Sequence, residues 1–394
     1  MRVAYICADP GIPVFGTKGA SVHVQEVIKG MLQRGLDVVL FAQRLGGEPP
    51  QELKDIEIHT LPELPNSSQE ERALAALSAN AELEQILENA EPFDLIYERY
   101  SLWSSAGMAF AKKHNCTGIL EVNAPLIEEQ KKHRELPMEA QARAVAESVF
   151  SNATAMIAVS PGVQHYLETF EQAKGRVYVI ANGVDLTRFA AAAAQNTAKF
   201  KNMREANSIS TAVLGFLGTL KPWHGVSTLV QTLALLRTRG YDVRLLIVGD
   251  GPQYTALQAD IERQGLSPYV HFTGAVLPEQ VPEWLAQMDV AVAPYPNMDG
   301  FYFSPLKIYE YMAAGLPIIA TRVGHLATVV EHDYNGILVE AENPEKMADA
   351  VALLLNDPAK TEKLGAAARL TAEREHSWLA VVDRILSIAT TAKP

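Results

Sequence analysis

Five apolar residues, Val3–Cys7, are followed at once by a Gly/Pro-rich stretch from Asp9 to Gly19. Beyond it, Val24, Val27, Ile28, Met31 and Leu32 recur at helical spacing, which predicts a helix over Ser21–Arg34 stopped by Gly35. A second apolar run, Asp37–Ala42, reads as the next strand. Strand, loop, helix, strand in that order needs a crossover and implies a parallel sheet. Further strands are expected at Leu95–Tyr97, Gly118–Val122, Met156–Val159 and Val177–Ile180.

The pattern breaks at Ala190–Ser210, which is rich in Ala and polar residues and lacks a strand signal. This reads as the boundary between a first domain, 1–195, and a second, 205–374; an ordinary surface helix inside one domain is the alternative. A new series follows: strand Ala212–Leu217, loop Gly218–Gly225, helix Val226–Arg237, then strands at Arg244–Val248, Val270–Phe272, Val290–Ala293, Ile318–Ala320 and Ile337–Val339. The tail from Pro344 to Ala392 is helical by pattern. The fold class is therefore α/β, with two successive doubly wound, Rossmann-like domains and an expected interdomain cleft. Ligands of such sheets bind beyond the carboxyl ends of the strands, so the loops after strands are where chemistry is sought.

Composition narrows the classes of function. With 394 residues two domains are the natural expectation, and 48% hydrophobic with 20% charged residues is ordinary for a globular protein. The net charge of -12 speaks against nucleic acid as a partner, since neutralising phosphates needs an excess of Lys and Arg. Cys7 and Cys116 are the two cysteines, and Cys7 reads as a buried thiol. No Cys/His cluster has zinc spacing. The first apolar run is too short for a signal peptide and no stretch reaches the length of a membrane span, which leads us to expect a cytoplasmic protein and leaves peripheral membrane contact open.

Three segments could carry chemistry. Gly218-Thr219-Leu220-Lys221-Pro222-Trp223-His224-Gly225 lies between a strand and a helix, so Lys221 and His224 fall near a helix N-terminus that already favours anions. A solvated Lys with a structural His is the alternative. In Asp299–Pro317, Ser304 is placed to cap a helix, Pro305 suits its first turn, and the amides there would form a second anion site. Glu310 follows on an apolar helix and needs a partner: a ribose diol, or a neighbouring Lys or Arg. Thirdly, Gly16, Gly19 and Ala20 precede a helix and would let a phosphate or sugar approach the backbone. Neither this loop nor Gly249-Asp250-Gly251-Pro252 is the dinucleotide fingerprint, and the chain has no P-loop, no nucleophile elbow and no Asp-x-Asp pair to clamp a metal on a diphosphate.

Taken in order, several segments resemble one family. They are Phe15 to Val24 before a helix, Ala181-Asn182-Gly183-Val184-Asp185 with Phe189, the Gly218–Gly225 loop, Ile247 to Pro252, Phe272-Thr273-Gly274-Ala275, and Ser304-Pro305-Leu306-Lys307-Ile308-Tyr309-Glu310. Over nearly the whole length the chain resembles the retaining GT-B glycosyltransferases of glycosyltransferase family 4. The resemblance implies that Lys221 meets the diphosphate of a nucleotide-sugar donor, with Thr219 and His224 in the same loop. Amides around Ser304, Pro305 and Leu306 would meet diphosphate and sugar, and Glu310, the second acid of an E-x7-E motif, would hold the ribose. The loop with Gly274 and Val276 would read the base through its backbone, and Gly19 would close over the diphosphate. Tyr302 stands where the first acid of that motif belongs, and Thr219 and His224 stand where the family often has Arg and Lys. On the acceptor or sugar side, Glu121 and Asn123 follow a strand at the place of a family histidine. The tail, 375–394, would pack back on the first domain.

The resemblance further implies a metal-independent, front-face transfer of a hexose with retention, with uridine the default base and guanosine next, no cofactor, and a small-molecule, glycan or lipid-linked acceptor. The charged stretch Glu128–Ala146 would be a helix, in which Lys131, Lys132, His133 and Arg134 could face an anionic acceptor or a membrane, or simply solvent. A nucleotide-sugar epimerase, a phosphorylase and a non-catalytic nucleotide-sugar-binding protein are the rival readings.

Overall fold

The computed structural model describes residues 1–133, 135–206, 211–298, 300–302 and 304–392, with only the backbone of His133. Internal contacts divide the chain into two units, Met1–Asn182 with Trp378–Pro394, and Gly183–Ser377.

The first unit is built on seven parallel strands: β1 (Arg2–Cys7), β2 (Asp37–Ala42), β3 (Glu57–Thr60), β4 (Leu95–Arg99), β5 (Thr117–Val122), β6 (Ala155–Ala158) and β7 (Val177–Val179). Their order is β3-β2-β1-β4-β5-β6-β7. The inner strands are covered on both faces, which is why they read as unbroken apolar runs; Val3 to Cys7 are fully buried. β3 escaped the sequence reading because it is an edge strand, Glu57-Ile58-His59-Thr60, with no buried residue. The helix Gly19–Gln33 covers one face, and Trp378, Val381, Val382 and Ile385 of the terminal helix Trp378–Thr391 share a core with its Val24, Val27, Ile28 and Met31.

In the second unit the strands β8 (Ala212–Leu217), β9 (Val243–Val248), β10 (Val270–Phe272), β11 (Val290–Ala293), β12 (Ile318–Thr321) and β13 (Ile337–Val339) are all parallel. They run β10-β9-β8-β11-β12-β13, the Rossmann order. In both sheets the chain reverses direction of travel beside the first strand: between β1 and β4, and between β8 and β11. Those switch points are where a crevice opens at the carboxyl edge.

One boundary moves. The segment expected to link the domains is the helix Ala190–Ala206, and it belongs wholly to the second unit. The division falls at Asn182/Gly183 instead of 195–205 because this helix is tied down by polar groups. Buried Asn196 donates to the Ala314 carbonyl at 2.8 Å, and Lys199 Nζ lies 3.1 Å from Asp289 Oδ1. The other oxygen of Asp289 accepts from the Val213 amide at 2.8 Å. The charged stretch Glu128–Ala146 also differs: it forms two helices, Leu126–His133 and Glu139–Asn152, parted by a segment containing Pro137. Lys131 pairs with Glu139, while Arg134 lies outside the described residues. Among the described residues no helix is long and apolar enough to cross a membrane. Both cysteines are free thiols.

Asp289 is 4% exposed and serves both a strand amide and a lysine. Asp289→Ala takes the partner from the Val213 amide and the counter-ion from Lys199, whose Nζ keeps the Ala286 and Met288 carbonyls, and should destabilise the second unit by about 1–3 kcal/mol, read as a lower midpoint of its unfolding transition in calorimetry.

Candidate functional site

The loop after β8 is sewn to the loop after β9 by main-chain bonds. Gly218 N donates to the Val248 carbonyl at 2.9 Å, Leu220 N to that of Asp250 at 2.9 Å, and Gln253 N to that of Leu220 at 3.1 Å. A short turn, Pro222–His224, then leads into the helix Val226–Thr238. Gly225 joins them with φ +68°, and a Cβ there would lie 1.8 Å from the Pro294 carbonyl oxygen, in the loop after β11. Only glycine permits this approach. The loops at the β8/β11 switch point are thus packed backbone on backbone.

Lys221 rises from this loop half-buried, its Nζ 5.5 Å from the centre of the Trp223 ring, with no carboxylate partner among the described residues. Thr219 is exposed. His224 does not share the positive charge. Burial, then Lys307 and Lys221, push its imidazole down to about 4, so it is neutral at pH 7. Its Nδ1 donates to the Thr219 carbonyl, leaving Nε2 as an acceptor. In this state His224 shapes the loop and supplies no charge.

The helix Leu306–Ala313 begins one residue later than expected, with Pro305 at the cap position and no side-chain cap. Ser304 Oγ instead lies 2.9 Å from the Tyr309 hydroxyl, which is 3.1 Å from His325 Nε2. Pro305 is buried, Leu306 is exposed, and Tyr302 is half-buried. Asp299 and Phe303 of this segment lie outside the described residues. Glu310 is paired with a cation: Arg188 Nη2 donates to its Oε1 at 3.0 Å. Burial raises the Glu310 pKa, while Arg188 and Lys307 pull it down in part. Among the described residues the pair uses Oε1 alone, so Oε2 keeps its lone pairs. Gly274, at φ +71° and bridged to Gly249, has open space where a side chain would be, and Val276 beside it is half-buried.

In the first unit the switch point opens into a cavity of about 810 Å³. Its walls come from the loops after β1 (Asp9, Ile12) and β4 (Ser101, Trp103), with Arg44 and Arg72 on the rim. Gly19, at the start of its helix, is exposed. Glu121, expected on the acceptor or sugar side, is buried, 1% exposed. Arg99 Nη1 (2.9 Å) and Asn123 Nδ2 (2.5 Å) donate to its Oε1, the Tyr97 hydroxyl donates to Oε2, and His23 Nε2 lies 2.7 Å from Oε1. His23 Nδ1 in turn lies 2.9 Å from Asn182 Oδ1. Burial alone would raise the Glu121 pKa; His23, Arg99 and Tyr97 outweigh it and hold the carboxyl below its usual range. Glu121 is the hub that orients His23, Arg99 and Asn123. Elsewhere in this unit Glu88, Glu91 and His114 bring ligand atoms within 4.8 Å of one another, but Lys113 already occupies Glu88.

Comparison with known proteins decides the family. The model described as "Glycosyltransferase Family 4" matches residues 17–188, and "Glycosyl transferases group 1" matches residues 211–357. The chain belongs to glycosyltransferase family 4. This glycosyltransferase is 26% identical to a D-inositol 3-phosphate glycosyltransferase of Jonesia denitrificans, over 96% of this chain and 93% of that protein. It is 34% identical to a GDP-mannose-dependent alpha-(1-6)-phosphatidylinositol monomannoside mannosyltransferase of Mycobacterium tuberculosis, over 41% of this chain and 43% of that one. Its fold is that of Anabaena HepE, solved in complex with UDP: TM-score 0.71, 20% identity, covering 99% of this chain and 100% of that one. It is a glycosyltransferase of GT-B fold.

Sequence reasoning missed Arg188, His23, Arg99 and Lys307 in this glycosyltransferase. Lys307 had a signal: a Lys three residues before Glu310 on a helix otherwise apolar. The other three come from distant segments and show no local pattern.

Because the folded pKa of Glu121 is depressed, its contribution is present above the unfolded carboxyl pKa and is lost as pH falls below it. Glu121→Gln should therefore unfold more readily than the parent at pH 7. The gap should narrow as pH is lowered from about 4.5, measured by urea titration at successive pH values.

Proposed function

We propose that this enzyme, acting in the cytoplasm, transfers a hexosyl group from a nucleoside-diphosphate sugar to an acceptor hydroxyl with retention and without a metal. The base would be uridine by default and guanosine next. The observation that carries the reading is the pairing, at one switch point, of an unneutralised Lys221 with a Glu310 whose second oxygen is open. A diphosphate would lie over the loop after β8, meeting Lys221, the amides near Thr219 and those around Ser304 to Leu306. Glu310 Oε2 would accept from the ribose hydroxyls while Arg188 keeps the carboxylate oriented. The backbone at Gly274 and Val276 would frame the base. Tyr302 would contact the sugar where an acid is usual.

In the step itself the bond from the anomeric carbon to the diphosphate oxygen breaks, and its electron pair leaves with the phosphate. The acceptor oxygen bonds to the same face of the sugar and its proton passes to the leaving phosphate. The protein's part is to position both partners and to stabilise the diphosphate charge as it develops. The absence of an Asp-x-Asp pair supports a metal-free site, with charge met by lysine and amides. The cavity of about 810 Å³ in the first unit is the place for the acceptor, its arginines suited to an anionic group. Relatives named for inositol phosphate and phosphatidylinositol glycosides are in keeping with such an acceptor.

Unfolding temperatures with UDP, GDP, ADP and NAD, without added metal, test the donor. A nucleoside diphosphate at a hundred times its dissociation constant adds about 2.7 kcal/mol, a rise of several degrees, which Glu310→Ala should abolish. A rise with NAD alone, or none with any diphosphate, refutes the reading.

Lys221→Ala should keep the fold and lower turnover at least about a hundredfold, since a lost preorganised donor raises the barrier by roughly 3–4 kcal/mol. Near-normal turnover in this variant would remove Lys221 from the site.

A further inference from the structure

Lys307 is a buried amine that the fold does not use. It is 7% exposed, and among the described residues its Nζ has no hydrogen-bond partner. It is the second residue of the helix Leu306–Ala313 and reaches towards the end of β8. There Nζ sits 4.0 Å from the centre of the Phe216 ring and 5.1 Å from that of Tyr295. Gly218, at φ +136°, lies between this ammonium and the loop of Lys221: a Cβ on Gly218 would come within 2.8 Å of Nζ. The charged and titratable groups that face it are His224 in that loop, Tyr295 after β11, and Glu310 on its own helix. Glu310 is engaged by Arg188.

Two aromatic faces recover only part of what an ammonium loses on leaving water. A residue of this kind weakens the fold, and an apolar side chain of like length would be tolerated as well or better. Its place is next to the turn over which the donor diphosphate is proposed to lie. We infer that Lys307 is held for the donor: across Gly218 it supplies a second cation, besides Lys221, to the diphosphate. This rests on the donor reading above. Burial, opposed in part by Glu310, brings the ligand-free amine down to about 7, so diphosphate binding should draw a proton onto it as pH rises past neutrality.

The test uses the whole protein with UDP and GDP as probes, by calorimetry at pH 6.5 to 8.5 in buffers of different ionisation enthalpy. For the parent, affinity should be flat below pH 7 and weaken about tenfold by pH 8.5, with net proton uptake in that range. Lys307→Met should unfold at the same temperature or higher, bind the nucleotide about tenfold or more weakly at pH 7, and lose both the pH dependence and the proton uptake. Lys307→Arg should restore affinity without the pH dependence. Parent-like affinity and pH dependence in Lys307→Met would overturn the inference and leave the donor site standing. Should that variant not fold, a flat profile in the parent overturns it equally. If the parent binds neither UDP nor GDP, the donor reading fails, and this inference with it.

Discussion

Main chain packed on main chain is the constraint on which the candidate donor site rests. Gly225 meets the Pro294 carbonyl, and a Cβ on Gly249 would lie 2.2 Å from the Gly218 carbonyl oxygen. No side chain fits at either contact. The loops that follow β8, β9 and β11 therefore close into one surface at the switch point of the sheet. Lys221, the amides around Leu306 and the Gly274 turn are brought to the same edge because the strands that carry them are neighbours in the Rossmann order.

Two carboxylates, one in each unit, are met in opposite ways. In the first, every oxygen of Glu121 is met from its own surroundings, by Tyr97, Arg99, Asn123 and His23. Such a closed network stiffens the ends of β4 and β5 and fixes the side chains that meet there. In the second, Glu310 is held at one oxygen by Arg188, and among the described residues Lys307 Nζ has aromatic faces but no hydrogen-bond partner. An incomplete network costs stability and persists where something else completes it.

Much of the fold was legible because parallel strands covered on both faces must be apolar throughout. β2, β8, β10, β11 and β13 were read from the sequence to the residue, and most of the others to within one or two. β3 was not, since three of its four residues, Glu57, His59 and Thr60, are polar and leave no apolar run to read. The boundary between the units was misplaced because composition alone marks the helix Ala190–Ala206 as a linker. Its attachment depends on Asn196 and Lys199 finding Ala314 and Asp289, contacts about 90 to 120 residues away in the chain. The same limit applied to Glu121: its position at the end of a strand suggested a ligand contact, while its partners at 23, 97 and 99 could not be read from spacing.

By itself the sequence determined the fold class and the family, because periodicity, glycine placement and motif order are local properties that survive without coordinates. Only the tertiary structure decided which charges are neutralised. It gave Arg188 to Glu310, turned His224 inward to Thr219, closed Glu121 within its network and left Lys307 alone. Whether a charged group is paired depends on which distant side chain reaches it and how much water remains, and one-dimensional order carries neither.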